Sequence, residues 1–356
     1  MPGNSFGRLF RISTWGESHG KAVGVVLDGC PAGLKISEDD IQFELDRRRP
    51  GQSRITTQRN EADKVEILSG VFGGKTTGTP ISMIVWNTDA ISKSYEDIKD
   101  TYRPGHADFT YDQKYGFRDH RGGGRSSNRE TIGRVAAAAI AKKILNKKGI
   151  VTTGYVKQIG NIVAEKIDFK QIEKNAVRCP DRLKAKQMYE LIDKVRKEGD
   201  SIGGIVEIVT TGMPKGLGDP VFNKLDAELA SALMGLGGIR GYEAGLGFAV
   251  AEKKGSEAND LMYKKRDGTL GFKTNNAGGM LGGISNGEDL IVRIAIKPTS
   301  SISKKQITVD KKGKRKELVV KGRHDPCLCP RAVPIAEAMV NLVIVDHLLI
   351  SKAGKI

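Results

Sequence analysis

Three of the five histidines in this 356-residue sequence lie in loops rich in glycine, serine and arginine, at residues 16–20, 103–108 and 322–326. A fourth segment, 121–131, has the same composition without a central histidine. Histidine titrates near neutral pH, and arginines beside small residues suit ligands that carry phosphates and carboxylates. Any one of these loops could be a polar turn with an incidental histidine. Their recurrence in a histidine-poor chain favours acid–base chemistry on an anionic ligand.

The histidines of the first two loops have neighbours suited to proton transfer. His19 follows Ser18, and His106 lies between Arg103 and Asp108. An imidazole beside an anion-binding cluster can protonate a leaving phosphate or a developing anion, which is general-acid catalysis. The spacing defines no Ser-His-Asp triad, and the pattern indicates no metal site.

Four arginines, Arg47, Arg48, Arg49 and Arg54, surround a Pro-Gly turn. They predict a clamp for anions, and the alternative is an ordinary charged helix end.

The net charge of +16 raises a second interpretation, a basic RNA-binding protein that uses residues 121–125 and the lysines of 311–316. Aromatic residues make up only 6% of the chain, and none are interleaved with basic residues to stack bases. Because the arginines gather in the Gly/Ser/His loops, the sequence favours a small polyanionic ligand in a pocket over nucleic acid.

The remaining composition indicates a cytoplasmic protein without a membrane partner. No apolar run approaches the length of a membrane span, and the first residues lack the layout of a secretion signal. Four unevenly spaced cysteines predict free thiols. Two glycine-rich segments, 69–76 and 235–241, fail the P-loop and dinucleotide-binding patterns, so a P-loop kinase and a Rossmann enzyme are disfavoured.

The elements that must position these loops can be outlined from periodicity and capping. Helices are predicted at 37–45, 129–145, 181–197 and 335–350, the last containing His347 as a structural residue. Strand-like runs at 23–27 and 81–86 are echoed at 205–209 and 290–296, each pair with similar glycine-rich turns. The echo predicts an α+β fold: one domain spanning 1–356, built from two pseudo-repeated halves (about 1–150 and 200–350) with antiparallel sheets packed against helices. An insertion is expected at 252–276, and 300–323 is expected to be mobile.

The loops resemble the three signature segments of the chorismate synthase family. The matching residues are Gly-Glu-Ser-His-Gly at 16–20, Gly-Gly-Arg-Ser-Ser-Asn-Arg-Glu-Thr at 123–131, and Arg-His-Asp-Pro at 323–326 with Glu337 downstream. Segments 46–51, 103–108 and 297–301 fit as well. The resemblance runs in order from Phe6 to about Leu349 and implies the chorismate synthase fold.

The resemblance implies an enzyme that converts 5-enolpyruvylshikimate 3-phosphate to chorismate by 1,4-anti elimination of phosphate, the last step of the shikimate pathway. It implies reduced FMN as a cofactor that donates charge transiently as phosphate leaves and recovers it as the C6 hydrogen departs. A homotetramer is also implied. Whether NADPH serves this chain as the flavin reductant is left open.

Residue roles follow from the resemblance by position. His19 would protonate the leaving phosphate, His106 would contact the flavin near N1 and C2=O, and Asp325 near N5 would help proton removal with Ser18 and Ser127. The flavin-binding positions would be Arg125, Ser126, Ser127, Gly237, Gly238, Gly278, Lys297, Pro298, Thr299, Ser300, Ser301 and Arg323. Substrate anions would be bound by Arg48, Arg54 and Arg103, the first two also lying where a nicotinamide nucleotide has been proposed to bind.

Two positions depart from the family pattern. Asn128 stands where the family usually has alanine, and Gly237-Gly238 replaces a position that commonly carries an amide or another side chain. We therefore expect hydrogen bonding near Ser127 to differ, and no side-chain contact to flavin from 237.

Overall fold

The computed structural model describes residues 3–57, 61–88, 96, 98–320 and 324–353. Within these residues two antiparallel five-stranded sheets form the framework. The first sheet has the strand order β1-β2-β3-β7-β4, with β1 (Ser5–Phe6), β2 (Arg11–Gly16), β3 (Ala22–Asp28), β4 (Val65–Ile67) and β7 (Ile81–Trp86). The second has the order β11-β16-β10-β8-β9, with β8 (Val151–Ile159), β9 (Ile162–Val163), β10 (Gly204–Thr211), β11 (Ile239–Ala244) and β16 (Leu290–Ile296).

The two sheets share one connectivity. Each sheet contains a set of four strands that, numbered in chain order, lie side by side in the order 1-2-4-3. This set is β2-β3-β7-β4 in the first sheet and β8-β10-β16-β11 in the second. A short hairpin precedes the fourth strand of each set: β5 (Val71–Phe72) with β6 (Lys75–Thr76), and β14 (Met280–Leu281) with β15 (Ile284–Ser285). The predicted α+β class with antiparallel sheets and helices is confirmed, whereas the boundaries of the two halves stay a prediction.

The helices of the described residues are α1 (Glu38–Arg48), α2 (Asp108–Tyr115), α3 (Thr131–Asn146), α4 (Arg182–Lys197), α5 (Leu225–Met234), α6 (Gly255–Ala258) and α7 (Cys329–Ala353). Helices α3 and α7 pack against each other, α3 also on the first sheet and α7 on the second. At Gly133 of α3 an added Cβ would lie 3.0 Å from the carbonyl oxygen of Gly24. The glycine therefore permits the close approach of this helix to strand β3.

Side-chain caps explain where two predicted helices begin. Ser37 accepts a hydrogen bond from the amide of Asp40, whose carboxylate accepts one from the Ser37 amide in return. Asp181 accepts from the amides of Leu183 and Lys184. Both caps satisfy amides that have no partner within the helix. Helix α1 runs three residues beyond its predicted end and thereby brings Arg48 into its last turn.

Helix α7 begins at Cys329, six residues before the predicted start, and runs through Pro334. Proline inside a helix cannot donate to the carbonyl four residues earlier, here that of Pro330. Arg178 Nη1 donates to that oxygen at 2.6 Å instead. An external donor thus replaces the hydrogen bond that Pro334 cannot make within the helix.

Helix α7 is also long and apolar enough to cross a membrane by length and composition, and 83% of its most apolar window is buried inside the protein. This burial, against α3 and the second sheet, is typical of the core helix of a soluble protein. His347 lies in this helix, 3% exposed.

Two segments expected to be irregular contain short regular elements. The first, 252–276, holds α6 and a hairpin of β12 (Met262–Lys264) and β13 (Leu270–Phe272). The second holds a hairpin of β17 (Gln306–Val309) and β18 (Arg315–Leu318), whose Val309 carbonyl accepts from the amide of Tyr102 at 3.1 Å. Mobility of these segments stays a prediction, and residues 321–323 lie outside the described residues. All four cysteines are free and buried.

Candidate active site

A cavity of about 720 Å³ lies at the meeting point of several loops. Four of these loops precede α2, α3, β11 and α7, a fifth follows β16, and the end of α1 also contributes. Fourteen of the residues predicted from the sequence line the cavity. They are His19, Arg48, Arg103, His106, Arg125, Ser126, Ser127, Gly237, Gly238, Lys297, Thr299, Ser300, Ser301 and Asp325. The fold therefore brings together most of the predicted site residues, although they lie far apart in the sequence, from His19 to Asp325.

The structure places the other predicted residues elsewhere. Ser18 is buried behind His19, and Pro298 does not line the cavity although its neighbours do. Gly278 packs in the second sheet, where an added Cβ would lie 2.4 Å from the Gly245 amide nitrogen. Arg54 points outward, with its Nε 3.6 Å from Asp193. Arg323 lies outside the described residues.

His19 is held between a serine and a glycine. Its Nδ1 lies 3.0 Å from the hydroxyl oxygen of Ser18, which is 2% exposed. On the other side, a Cβ added at Gly122 would lie 2.2 Å from the ring atoms Cε1 and Nδ1. Gly122 has a φ of +64°, so both its conformation and its lack of a side chain are required here. The glycine-rich loop thus forms one wall against which the His19 ring lies.

His106 is fixed in one protonation pattern by two donors. Its Nδ1 accepts from the amide of Ala107 at 3.0 Å and lies 3.2 Å from Arg103 Nη2. Two donors aimed at Nδ1 leave the ring proton on Nε2 in the neutral imidazole. Asp108 Oδ1 is also 3.5 Å from Nδ1. An ion pair between them would require a proton on Nδ1, but Nδ1 accepts the hydrogen bond from the Ala107 amide. His106 therefore offers an N–H donor from Nε2.

Arg103 is held by a two-pronged ion pair. Its Nε and Nη2 donate to the two carboxylate oxygens of Asp108 at 2.8 and 2.7 Å, and both side chains are nearly inaccessible. Burial alone would raise the pKa of Asp108, but the hydrogen bonds from Arg103 hold that pKa well below its ordinary value. The paired guanidinium is thus a fixed part of the cavity wall.

Asp325 is bound by two donors from different parts of the chain. Its Oδ1 accepts from the amide of Thr57 at 2.9 Å, and its Oδ2 accepts from Arg331 Nη1 at 2.6 Å. Arg331 also donates from Nε to the carbonyl of Arg48 at 3.3 Å. Arg323, two residues before Asp325 in the sequence, is the nearest arginine along the chain, but it lies outside the described residues. The partner that the structure shows is Arg331, in the first turn of α7, which also lines the cavity.

Arg48 and Arg129 form a buried network around Asp63. Arg48, 1% exposed, donates to Asp63 at 2.9 Å, to the Thr131 hydroxyl at 3.2 Å and to the Asn128 carbonyl at 2.8 Å. Burial lowers the pKa of Arg48 to about 10, which leaves it charged at neutral pH. Arg129 donates to the other Asp63 oxygen at 2.9 Å, while its Nη2 is buried with no hydrogen-bond partner among the described residues.

The predicted clamp of four arginines does not form as one unit. Arg47 is engaged by Glu44, Glu173 and Glu337, and Arg49 is an exposed residue near Asp46. Consecutive residues of a helix point about 100° apart, so a run of three cannot share one target. Of the four, Arg48 alone lines the cavity.

The proposed flavin segments are anchored mainly by their own side chains. Arg125 donates to the Thr14 hydroxyl at 2.7 Å and the Gly16 carbonyl at 3.1 Å, which ties the loop to strand β2. Lys297 Nζ donates to the Gly105 carbonyl at 2.6 Å and the Ser300 hydroxyl at 2.7 Å. An ammonium group has three donors, so Lys297 keeps one for a ligand. Its pKa is lowered by burial and by the charge of Arg240.

The two departures from the family pattern face each other. A Cβ added at Gly237 would lie 3.2 Å from Oδ1 of Asn128, and both residues line the cavity. That distance is shorter than most contacts of a real Cβ. The Asn128 side chain therefore uses space that the missing side chain at 237 leaves open.

Sequence reasoning missed several residues of the cavity wall. They include Thr57, Arg129, Arg134, Arg240, His324 and Arg331. Arg129 and His324 lie inside the quoted motifs and were identified there without a role. Arg331 and Arg240 lie outside the segments that the sequence analysis singled out for chemistry, Arg331 in the first turn of α7 and Arg240 in β11. No group of three or more His, Cys, Asp or Glu side chains is arranged to hold a metal ion in the described ranges.

Comparisons with known proteins agree with this architecture. A profile of the family described as chorismate synthase matches residues 10–349. A chorismate synthase of Chloroflexus aurantiacus is 56% identical over 100% of this chain and 98% of its own length, and one of Methanosarcina mazei is 59% identical over 98% and 97%. A crystal structure of a chorismate synthase superposes with a TM-score of 0.76 at 32% identity, covering 97% of this chain and 92% of the other.

Proposed function

The chain belongs to the chorismate synthase family of phosphate-eliminating lyases, and on that premise we propose the cofactor, the reductant and the residue roles of its reaction. The substrate is 5-enolpyruvylshikimate 3-phosphate, which loses phosphate in a 1,4-anti elimination. One observation supports the proposed roles. His19, His106 and Asp325 line the same cavity, and its other walls are rich in arginine.

The cation-rich wall fits a substrate with one phosphate and two carboxylates. Arg103 and Arg48 are fixed by Asp108 and Asp63 respectively, so they present charge without having to be ordered on binding. Arg129 Nη2 is buried and has no hydrogen-bond partner within the described part of the chain. A buried donor without a partner costs free energy that an incoming anion can recover. We assign Arg48, Arg103 and Arg129 to the substrate anions, and Arg54, which lies outside the cavity, to a nicotinamide nucleotide.

We propose reduced FMN as the cofactor, held by Ser126 and Ser127 with the backbone of Arg125, by Gly237 and Gly238, and by residues 297–301. Two features of the cavity fit such a group: the spare donor of Lys297 Nζ, and the buried Thr299 hydroxyl, which has no hydrogen-bond partner among the described residues. When bound, reduced FMN supplies electron density as the phosphate leaves and recovers it afterwards. Gly278, which does not line this cavity, and Arg323, which lies outside the described residues, remain predicted contacts.

The protein side chains supply the protons. His19, oriented by Ser18, donates a proton to the departing phosphate oxygen, which neutralises charge as the C–O bond breaks. His106 would donate a hydrogen bond from Nε2 to the bound flavin ring. Asp325, held by Thr57 and Arg331, would assist removal of the C6 proton together with Ser18 and Ser127.

The proposal is tested by anaerobic turnover of 5-enolpyruvylshikimate 3-phosphate with externally reduced FMN, compared with NADPH and oxidised FMN. Chorismate formation with reduced FMN is expected. Formation with NADPH and oxidised FMN would add a reductase activity to the chain. No product with either donor in a folded protein that binds FMN would contradict the proposal. We further propose a cytoplasmic homotetramer, which sedimentation at enzyme concentrations used in assays would check.

A further inference from the structure

His324 is a cavity residue to which the proposed mechanism gives no task. It precedes Asp325 and lines the same cavity as His106 and Arg103. Its Nε2 is buried and has no hydrogen-bond partner among the described residues. Buried polar atoms in folded proteins are nearly always paired with protein or ordered water, so an unpaired ring nitrogen at the wall of a cavity points to a missing partner.

The charges that face His324 decide its protonation state. Burial is the largest effect and lowers the pKa of His324 to about 4; Arg103 and His106 lower it further, while Asp325 opposes them. The imidazole is therefore neutral at physiological pH, with one ring N–H to donate and one nitrogen to accept. It differs in this from an arginine, because it can donate without adding charge to an already cationic wall.

The guanidinium of Arg103 indicates the chemical class of the missing hydrogen-bond partner of His324. Arg103 attracts oxygen atoms that carry negative charge into this part of the cavity. An oxygen in that position is an acceptor and calls for the ring proton on Nε2. The inference rests on the proposed function, whose substrate and cofactor both carry such oxygens.

We propose that His324 is a ligand-contacting residue, whose Nε2–H donates a hydrogen bond to an anionic oxygen of the bound substrate or of the FMN phosphate. Arg103 and His324 then share the recognition of one anionic group, the first through charge and the second through a neutral donor. Thr299, whose buried hydroxyl also has no partner in the described part of the chain, lines the same cavity.

Two variants separate the hydrogen bond from the bulk of the ring. His324→Phe keeps an aromatic ring and removes the donor, whereas His324→Gln places an amide N–H at about the reach of Nε2. His120→Gln serves as the control, since His120 pairs with Glu96 and does not line the cavity. For each protein we would measure the Kd of oxidised FMN by flavin fluorescence, and then KM and kcat for 5-enolpyruvylshikimate 3-phosphate with reduced FMN.

His324→Phe is expected to weaken one of the two affinities by about 10- to 100-fold, the usual worth of a hydrogen bond to a charged group. A loss confined to FMN identifies its phosphate as the acceptor, and a loss confined to KM identifies the substrate. His324→Gln is expected to recover most of that loss, and the control to match the wild type. Unchanged affinities in His324→Phe, or a loss that His324→Gln does not recover, would overturn the inference. Absence of turnover in the wild type would instead contradict the proposed function.

Discussion

Arg331 Nη1 lies 2.6 Å from Asp325 Oδ2, and each side chain is about 8% exposed. The two residues are six apart, with Asp325 in a loop and Arg331 in the first turn of α7. With the Thr57 amide on the second carboxylate oxygen, Asp325 is fixed in place without any ligand. A carboxylate beside the proposed site for substrate anions would weaken their binding, and for this reason we assign Asp325 a task in the reaction.

Asp325→Asn should lower turnover by a factor on the order of 10²–10⁴, because the amide keeps the size and loses the basic function. Substrate affinity should hold or improve, since a negative charge beside the substrate anions is removed. Flavin binding should survive. Anaerobic single-turnover kinetics with reduced FMN, together with the Kd of FMN, measure all three. A near-normal rate would rule out Asp325 as a proton acceptor.

His19→Ala and His106→Ala should each reduce kcat by about 10²–10⁴, the usual contribution of a positioned acid or hydrogen-bond donor at a reacting group. Folding should be largely kept, because both rings lie at the cavity wall. Steady-state kinetics would check the expected loss of kcat, and thermal unfolding of the same preparations would check that folding is kept.

His347→Ala is the control for these variants. His347 is buried in α7 away from the cavity, and burial lowers its pKa. The variant should lose stability through packing, by about 1–3 kcal/mol, and keep kcat once folded. Greater damage to kcat from this change than from those at 19 and 106 would reverse the assignment of the histidines.

Gly122→Ala should impair catalysis through the position of His19. The new Cβ would overlap the imidazole, and a displacement of about 1 Å in a catalytic group can cost on the order of 100-fold in rate. Gly149→Ala is the matched control, because Gly149 also has a positive φ, of +75°, but an added Cβ there meets nothing within 4 Å. Both variants should lose about 1–2 kcal/mol of stability from backbone strain. Equal kcat values in the two would contradict a positioning role for Gly122.

The depressed pKa of His324 predicts a pH-dependent stability. Between pH 6.5 and about 4, the unfolded chain binds a proton at this residue that the folded chain excludes. The free energy of unfolding should therefore fall as the pH is lowered through this window, by about 1–2 kcal/mol between pH 6.5 and 5. His324→Gln should lack this part of the decline. Urea unfolding at several pH values compares the two, and parallel curves would show that the His324 side chain is not the cause.

The sequence was most informative where the determinants are local. The cap residue Ser37 predicted the start of α1 and amphipathic spacing predicted α4, while strand-like runs that echo one another predicted β3, β7, β10 and β16. Fourteen of the residues predicted from the sequence line the cavity, since each signature loop carries several of them together. The fold class and the segments that meet at the cavity could therefore be predicted, whereas the roles of these residues stay a prediction.

Non-local pairs escaped prediction because no sequence spacing encodes them. The carboxylate of Asp325 is held by the amide of Thr57, 268 residues earlier, as well as by Arg331. Helix α7 begins six residues before its predicted start, and the donor to its Pro330 carbonyl is Arg178, over a hundred residues earlier. The four arginines do not form one clamp, because Arg47 and Arg54 also have acidic partners in other elements, Glu173, Glu337 and Asp193.

The closeness of Asn128 to Gly237 makes the two positions interdependent. A Cβ at 237 would lie 3.2 Å from Oδ1 of Asn128, so the amide would have to move by a few tenths of an ångström to accept a side chain there. The effect of a substitution at either position therefore depends on the residue at the other, and neither effect can be carried over to a homologue from one position alone.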